Sequence, residues 1–157
     1  MPPKPLIDLS TIDLERLEAG PEEIRKFNLQ RYEMEHLDGI IAYRPEQGIV
    51  VGFKNVRADE FWVRGHIPGR PLLPGVIMCE AAAQLCSFYY KKFTATDKFV
   101  GFGGLDDVKF RGQVAPGDRL IIIARNTELN RRRSTFDVQG VVNGKIVFEG
   151  VIIGMPM

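Results

Sequence analysis

The stretch "RGHIPGRPLLPGVIMCEAAAQLCSFYYKK", Arg64 to Lys92, decides the fold of this 157-residue chain. It begins as a loop, punctuated by glycine and proline up to Gly75. From about Pro74 it turns helical: Pro74 or Gly75 suits a first turn, and Lys91 and Lys92 suit the negative C-terminal end of a helix. Val76, Ile77, Met78, Ala81, Ala82, Ala83, Leu85 and Phe88 would cover most of the circumference, which predicts a buried helix. Yet its middle carries an acid, Glu80, and an amide, Gln84, one turn apart on the same face. A carboxylate in an apolar setting costs several kcal/mol unless partners are supplied, so it needs a reason.

Strands flank the helix on both sides. Upstream, "IIAYRP" and "GIVVGFKNV" are rich in β-branched residues and are separated by the turn residues "EQG". Downstream, "KFVGFGGLDDVKFRGQV" is interrupted by glycines that predict a bend or bulge. "DRLIIIARNTEL", "RSTFDVQGVV" and "KIVFEGVIIG" then follow in quick succession. "NRR" links the first two, and Asn143-Gly144 the second pair, a strong hairpin signal. One buried helix followed by a meander of antiparallel strands predicts an α+β fold with a curved sheet wrapped around the helix. The edge strands of such a sheet invite pairing with a second subunit.

Residues 1–20 read as an N-terminal extension ahead of a domain spanning 21–157. In it, "STIDLERLEAG" suits a short helix capped by Ser10 and stopped by Gly20. "PEEIRKF" has the grammar of a helix start, with Pro21 at the first position and acids in the first turn.

Composition narrows the function. Hydrophobic residues make up 45% and charged ones 26%, with a formal net charge of +1. That balance fits an ordinary globular protein and gives no global pull toward nucleic acid or an acidic membrane. No apolar run approaches the roughly 20 residues of a bilayer span, and the acids near the N-terminus argue against an export signal. Cys79 and Cys86 would stand roughly 10 Å apart on one helix, too far for a disulfide. They read as core residues in a reducing compartment, so a cytoplasmic location is expected.

Either histidine alone specifies no geometry, and no zinc-type ligand spacing occurs. Glu80 alone fits a structural acid as well as a catalytic one. His66 and Glu80 together are more informative, because the Pro-Gly between them opens the helix. A base, an acid and free N–H groups at the positive end of a helix dipole are what proton abstraction beside a carbonyl requires.

The stretch "GHIPGRPLLPGVIMCEAAAQ" resembles the signature of the hot-dog-fold β-hydroxyacyl-acyl-carrier-protein dehydratases of the FabZ type. "EEIRKF" with "RY" and Asp38, and "LDDVKFRGQVAPGD", are similar to further family segments, so residues 22–154 are covered. The resemblance implies that His66 is the catalytic base, Glu80 the catalytic acid and Gly75 the residue whose N–H polarises the thioester carbonyl. Gln84, Val76, Ile67, Gly101 and Phe102 are the implied substrate contacts. The sister group that also isomerises the double bond usually has aspartate at Glu80 and tryptophan at Ala83.

The resemblance implies elimination of water from a (3R)-3-hydroxyacyl thioester on acyl carrier protein, giving the trans-2-enoyl product without metal or redox cofactor. It also implies a homodimer in which the two subunits share each site, with a trimer of dimers as a further assembly. Arg131, Arg132, Arg133, Lys91, Lys92, Lys109 and Arg111 are the candidates for docking the acidic carrier. The alternatives are a hot-dog acyl thioesterase and a non-catalytic acyl- or carrier-binding module. This chain departs from the family pattern at Ile67, Leu73, Gly112 and Gln113. It departs further at Glu33, Glu35 and His36, which predicts a more polar wall on the acyl pocket, and at Gly101, which predicts a wider pocket mouth.

Overall fold

In the computed structural model, residues 2–157 are described; Met1, first residue of the expected extension, lies outside them. A five-residue helix α1, Pro21–Arg25, precedes two strands, β1 (Gly39–Arg44) and β2 (Ile49–Asn55). The long helix α2, Gly75–Thr94, comes next, followed by β3 (Val100–Phe110), β4 (Arg119–Leu129), β5 (Ser134–Val142) and β6 (Lys145–Pro156). All strands pair antiparallel in one sheet of order β1-β2-β4-β5-β6-β3. This is the α+β hot-dog architecture that the sequence predicts.

Local chemistry explains the elements. Pro74 caps α2, Lys91 and Lys92 occupy its last turn, and Ala95 ends it in the left-handed region at φ 54°. At the β5–β6 hairpin both Asn143 (φ 50°) and Gly144 (φ 78°) are left-handed, as a two-residue type I′ turn requires. The glycines of β3 coincide with a register shift between Phe102 and Gly104, and a second shift follows between Asp106 and Lys109.

The central strands of the sheet are buried on both faces. Toward α2, Val50, Leu120, Ile122, Phe136 and Phe148 pack with Met78, Ala81, Ala82, Leu85 and Phe88. On the opposite face Ile41, Ile49, Val51, Ile121, Ile123 and Val141 form a second cluster under Ile12, Leu6, Ile7, Leu9 and Leu14. The N-terminal residues therefore serve as the back cover of the sheet. Gln139 clamps them, accepting from the Leu6 N–H at 2.8 Å and donating to the Lys4 carbonyl at 2.8 Å.

One expectation about these elements needs correction. The Ser10-capped helix does not form: a 3-10 turn at Leu9–Thr11 is capped by Asp8, and Ser10 lies inside it. Asp8 and Asp13 each accept from the backbone two residues on, and such local bonds compete with the helix. α2 is the buried central helix expected, from Met78 to Lys91, and opens to solvent in its first turn at Val76, 72% exposed. The same side of the molecule holds the free edge of β3, which pairs only with β6.

Candidate active site

The loop between β2 and α2 is held by a few specific bonds. Trp62 is buried, and its indole N–H donates to Glu60 at 3.2 Å. The His66 N–H then donates to the Trp62 carbonyl, and the Leu73 N–H to the Val114 carbonyl. Ile67 (φ 59°) and Gly69 (φ 83°) turn the chain between these anchors. A β-branched residue in that region costs about 1–3 kcal/mol, a strain the anchors must over-determine.

This loop sets the state of His66. Its Nδ1 lies 2.6 Å from the Leu72 carbonyl, which can only accept, so Nδ1 carries the proton. Nε2 is left with a lone pair. The imidazole is half-buried, oriented, and available as a base through that one nitrogen.

Gly75 opens α2, and neither its N–H nor that of Val76 has an acceptor among the described residues. Glycine is required by a close approach: an added Cβ would stand 2.7 Å from the Phe110 ring. Glu80 is half-buried one and a half turns along the helix, and its hydrogen bond comes from Gln84 Nε2 at 3.1 Å. Glu80 and Gln84 line a cavity of about 170 Å³ together with Gly101, Phe102, Ser87 and Ile153. His66, Gly75, Val76 and Ile67 do not line it, and Ile67 and Val76 are exposed. Within a single chain the acid and the base therefore do not share this cavity.

At Gly101, which lines the cavity, an added Cβ would stand 2.6 Å from the Met157 side chain, itself 73% exposed. The cavity corrects one expectation. Glu33, Glu35 and His36 do not form a wall of the cavity. Glu33 is exposed, Glu35 pairs with Arg25 at 2.6 Å, and His36 is only 1% exposed. Leu73 is buried in the core cluster.

Of the basic residues, Arg131, Arg132 and Arg133 are exposed at the β4–β5 turn and Lys109 is exposed on β3. Arg133 pairs with Glu128 at 2.8 Å, and Arg111 pairs with Glu149. Lys92 lies over Tyr43, 4.7 Å from the ring centroid. Lys91 is 7% exposed and so is no docking residue: the helix turns it toward the core.

A buried polar cluster next to Gln84 escaped the sequence reading. Lys54 Nζ donates to Glu60 Oε1 at 2.6 Å and stands 3.3 Å from His36 Nδ1. Burial, followed by the neighbouring Lys54 charge, pushes His36 down to about 4, so it is neutral near pH 7. Burial pushes the Glu60 carboxyl up, but the Arg57 N–H, the Lys54 ammonium and the Trp62 N–H together outweigh it and hold it below its ordinary value. One signal was available: Lys54 falls on the same face as Val50 in the period-two pattern of β2. Among the described residues no three His, Cys, Asp or Glu side chains are grouped so as to hold a metal ion. Nor is any of their helices long and apolar enough to cross a membrane.

Residues 28–151 match the model of the FabA-like domain. The chain is 36% identical over 127 residues to the 3-hydroxyacyl-[acyl-carrier-protein] dehydratase FabZ of Geobacter metallireducens, covering 79% of this chain and 84% of that one. It is 35% identical over 129 residues to the bifunctional enzyme LpxC/FabZ of Chlorobaculum tepidum, covering 81% of this chain and 27% of that much longer protein. Among solved structures, the dehydratase heterocomplex ApeI:P from Xenorhabdus doucetiae is similar with a TM-score of 0.73 at 15% identity, covering 85% of this chain and 90% of that one. That last likeness supports the fold.

Proposed function

The chain belongs to the FabA-like family, and on that premise we propose that it is a FabZ-type dehydratase of 3-hydroxyacyl thioesters carried on acyl carrier protein, acting in fatty acid biosynthesis or a related acyl pathway. The observation that carries this reading is the tautomer of His66, whose Nε2 is free to take a proton. The thioester carbonyl lies toward the Gly75 N–H, where the positive end of α2 stabilises the enolate that forms when C2 is deprotonated; one such donor is worth about 3 kcal/mol. His66 Nε2 takes the C2 proton, and Glu80 gives a proton to the departing 3-hydroxyl. The C3–O bond breaks, the C2–C3 double bond forms, and water leaves. Gln84 keeps Glu80 aimed at the acyl cavity. Reading the reaction this way requires no group beyond those side chains and the helix terminus.

In this reading the base of one chain works with Glu80 of the partner subunit. The separation of His66 from the Glu80 cavity, the free β3 edge and the exposed Val76, Phe102, Leu105 and Phe110 beside it all support a dimer sharing its sites. Trimers of such dimers are a further assembly. Residues 21–157 form the catalytic domain, and 1–20 are an N-terminal extension that covers the back of its sheet, in a cytoplasmic enzyme. Arg131, Arg132 and Lys109 receive the acidic carrier; Lys92, Arg111 and Arg133, already engaged within the chain, contribute less.

The test is turnover of 3-hydroxybutyryl thioesters on carrier protein and on coenzyme A, following the conjugated enoyl product. His66→Ala and Glu80→Gln are each expected to lower kcat/KM at least roughly 100-fold while the protein stays folded. Release of free thiol from saturated acyl thioesters, with no enoyl product, would make the protein a thioesterase instead.

A further inference from the structure

Gln84 Oε1 accepts the His36 backbone N–H at 3.0 Å, and Gln84 Nε2 donates to the Met34 carbonyl at 2.8 Å as well as to Glu80. The orientation of the amide, and through it that of Glu80, is therefore dictated by the backbone of residues 34–36. That backbone belongs to no strand; it lies between a 3-10 turn at Tyr32–Met34 and the start of β1 at Gly39. Glu35 ties it on the outside to Arg25, at 2.6 and 3.0 Å, and the His36 ring anchors it on the inside. The ring is 1% exposed, and its Nδ1 faces the ammonium of Lys54 at 3.3 Å.

An ammonium can only donate, so Nδ1 accepts and the proton of the neutral ring sits on Nε2. Nε2 is buried and has no partner. Leaving a polar atom unpaired is costly, so the contact at Nδ1 holds the ring where packing alone would favour an apolar residue. Lys54 is held in turn by Glu60, with side-chain exposures of 1% and 5%. Glu60 also accepts from the Arg57 N–H at 2.8 Å and from Trp62, four residues before His66.

From this continuous chain of contacts we infer that His36, Lys54 and Glu60 are positioning residues for the dehydration: they set the 34–36 backbone, which orients Gln84, which aims Glu80. The inference rests on the dehydratase reading for its consequence in turnover, but the coupling itself is a property of the folded chain. The same Glu60 anchors the loop that carries His66, so one buried ion pair connects the supports of both the acid and the base.

The experiment follows the Gln84 side-chain amide resonances by NMR, assigned by Gln84→Leu, together with kcat and KM for a 3-hydroxyacyl thioester. His36→Leu and Lys54→Met are each expected to shift those resonances. Each should also lower kcat by roughly tenfold or more, the scale on which small misplacements act, with KM nearly unchanged. His36→Leu combined with Gln84→Leu should be no slower than Gln84→Leu alone. If His36→Leu does not fold, two polar variants decide. His36→Asn keeps an acceptor where Nδ1 stood and should restore kcat and the resonances, whereas His36→Gln moves it and should not. Unchanged resonances, a lower melting midpoint with unaltered kcat, or additive losses in the double variant would each overturn the inference. A wild type that turns over no thioester would instead refute the dehydratase reading, and the Gln84 resonances would still decide the coupling.

Discussion

Gly75 shows how much of the site is settled at a single residue. The Phe110 ring lies against the helix start there, and that approach leaves no room for a Cβ, which would come within 2.7 Å. Gly75→Ala therefore forces either the ring or the first turn of α2 to move. The expected result is a loss of kcat of roughly 100- to 1000-fold with an intact fold, the range seen when an oxyanion donor is removed. Phe110→Ala in the same chain should restore part of it by freeing the space. No recovery would mean that the extra methyl acts on the substrate rather than on the ring. Residues such as His66, Glu80, Gly75 and Gln84 were legible because their spacing is local, within one loop and one helix. Lys54, Glu60 and His36 were not, because their meaning comes from meeting across distant segments. The approach of Met157, at the far end of the chain, to Gly101 was equally hidden.

At the scale of elements, α2 and the strands were readable from periodicity and turn chemistry, whereas the N-terminal arm was not. Its apolar residues lack helical spacing, and Asp8 and Asp13 favour turns. The clue lay in β4, where "LIII" runs without alternation, as a strand covered on both faces does. Leu120 and Ile122 face α2, while Ile121 and Ile123 face the arm. The arm also bonds to the edge of β1, where the Glu18 N–H donates to the Ile40 carbonyl at 2.8 Å. Deleting residues 2–17 uncovers that back face, and a contiguous apolar patch of this kind drives association. The truncated protein should melt at lower temperature and form concentration-dependent higher species in sedimentation. Ile12→Ala, which removes the most buried side chain of the arm's apolar cluster, should cost about 2–5 kcal/mol. A truncation with the wild-type melting midpoint and the wild-type sedimentation profile would show that the cover contributes nothing.

At the scale of the whole molecule, the placement of acid and base makes a prediction about assembly. The Glu80 cavity does not include His66, and the open β3 edge lies beside the exposed Phe102, Leu105 and Phe110. A two-fold partner seated there would extend the sheet across the interface and close the apolar surface, while bringing each chain's base to the other chain's acid. If the sites are shared, inactive His66→Ala and Glu80→Gln chains complement one another. A mixed dimer holds one site with both defects and one with neither. Random exchange between equal amounts of the two variants makes half of the dimers mixed, so about a quarter of all sites are intact. Activity should therefore rise on mixing to about a quarter of the wild-type level, and it should rise on the timescale of subunit exchange rather than at once. Differently tagged chains report that exchange independently of turnover. Mixtures that exchange subunits yet stay inactive would place acid and base in one chain, and the cavity and the His66 loop would then have to close on each other when substrate binds.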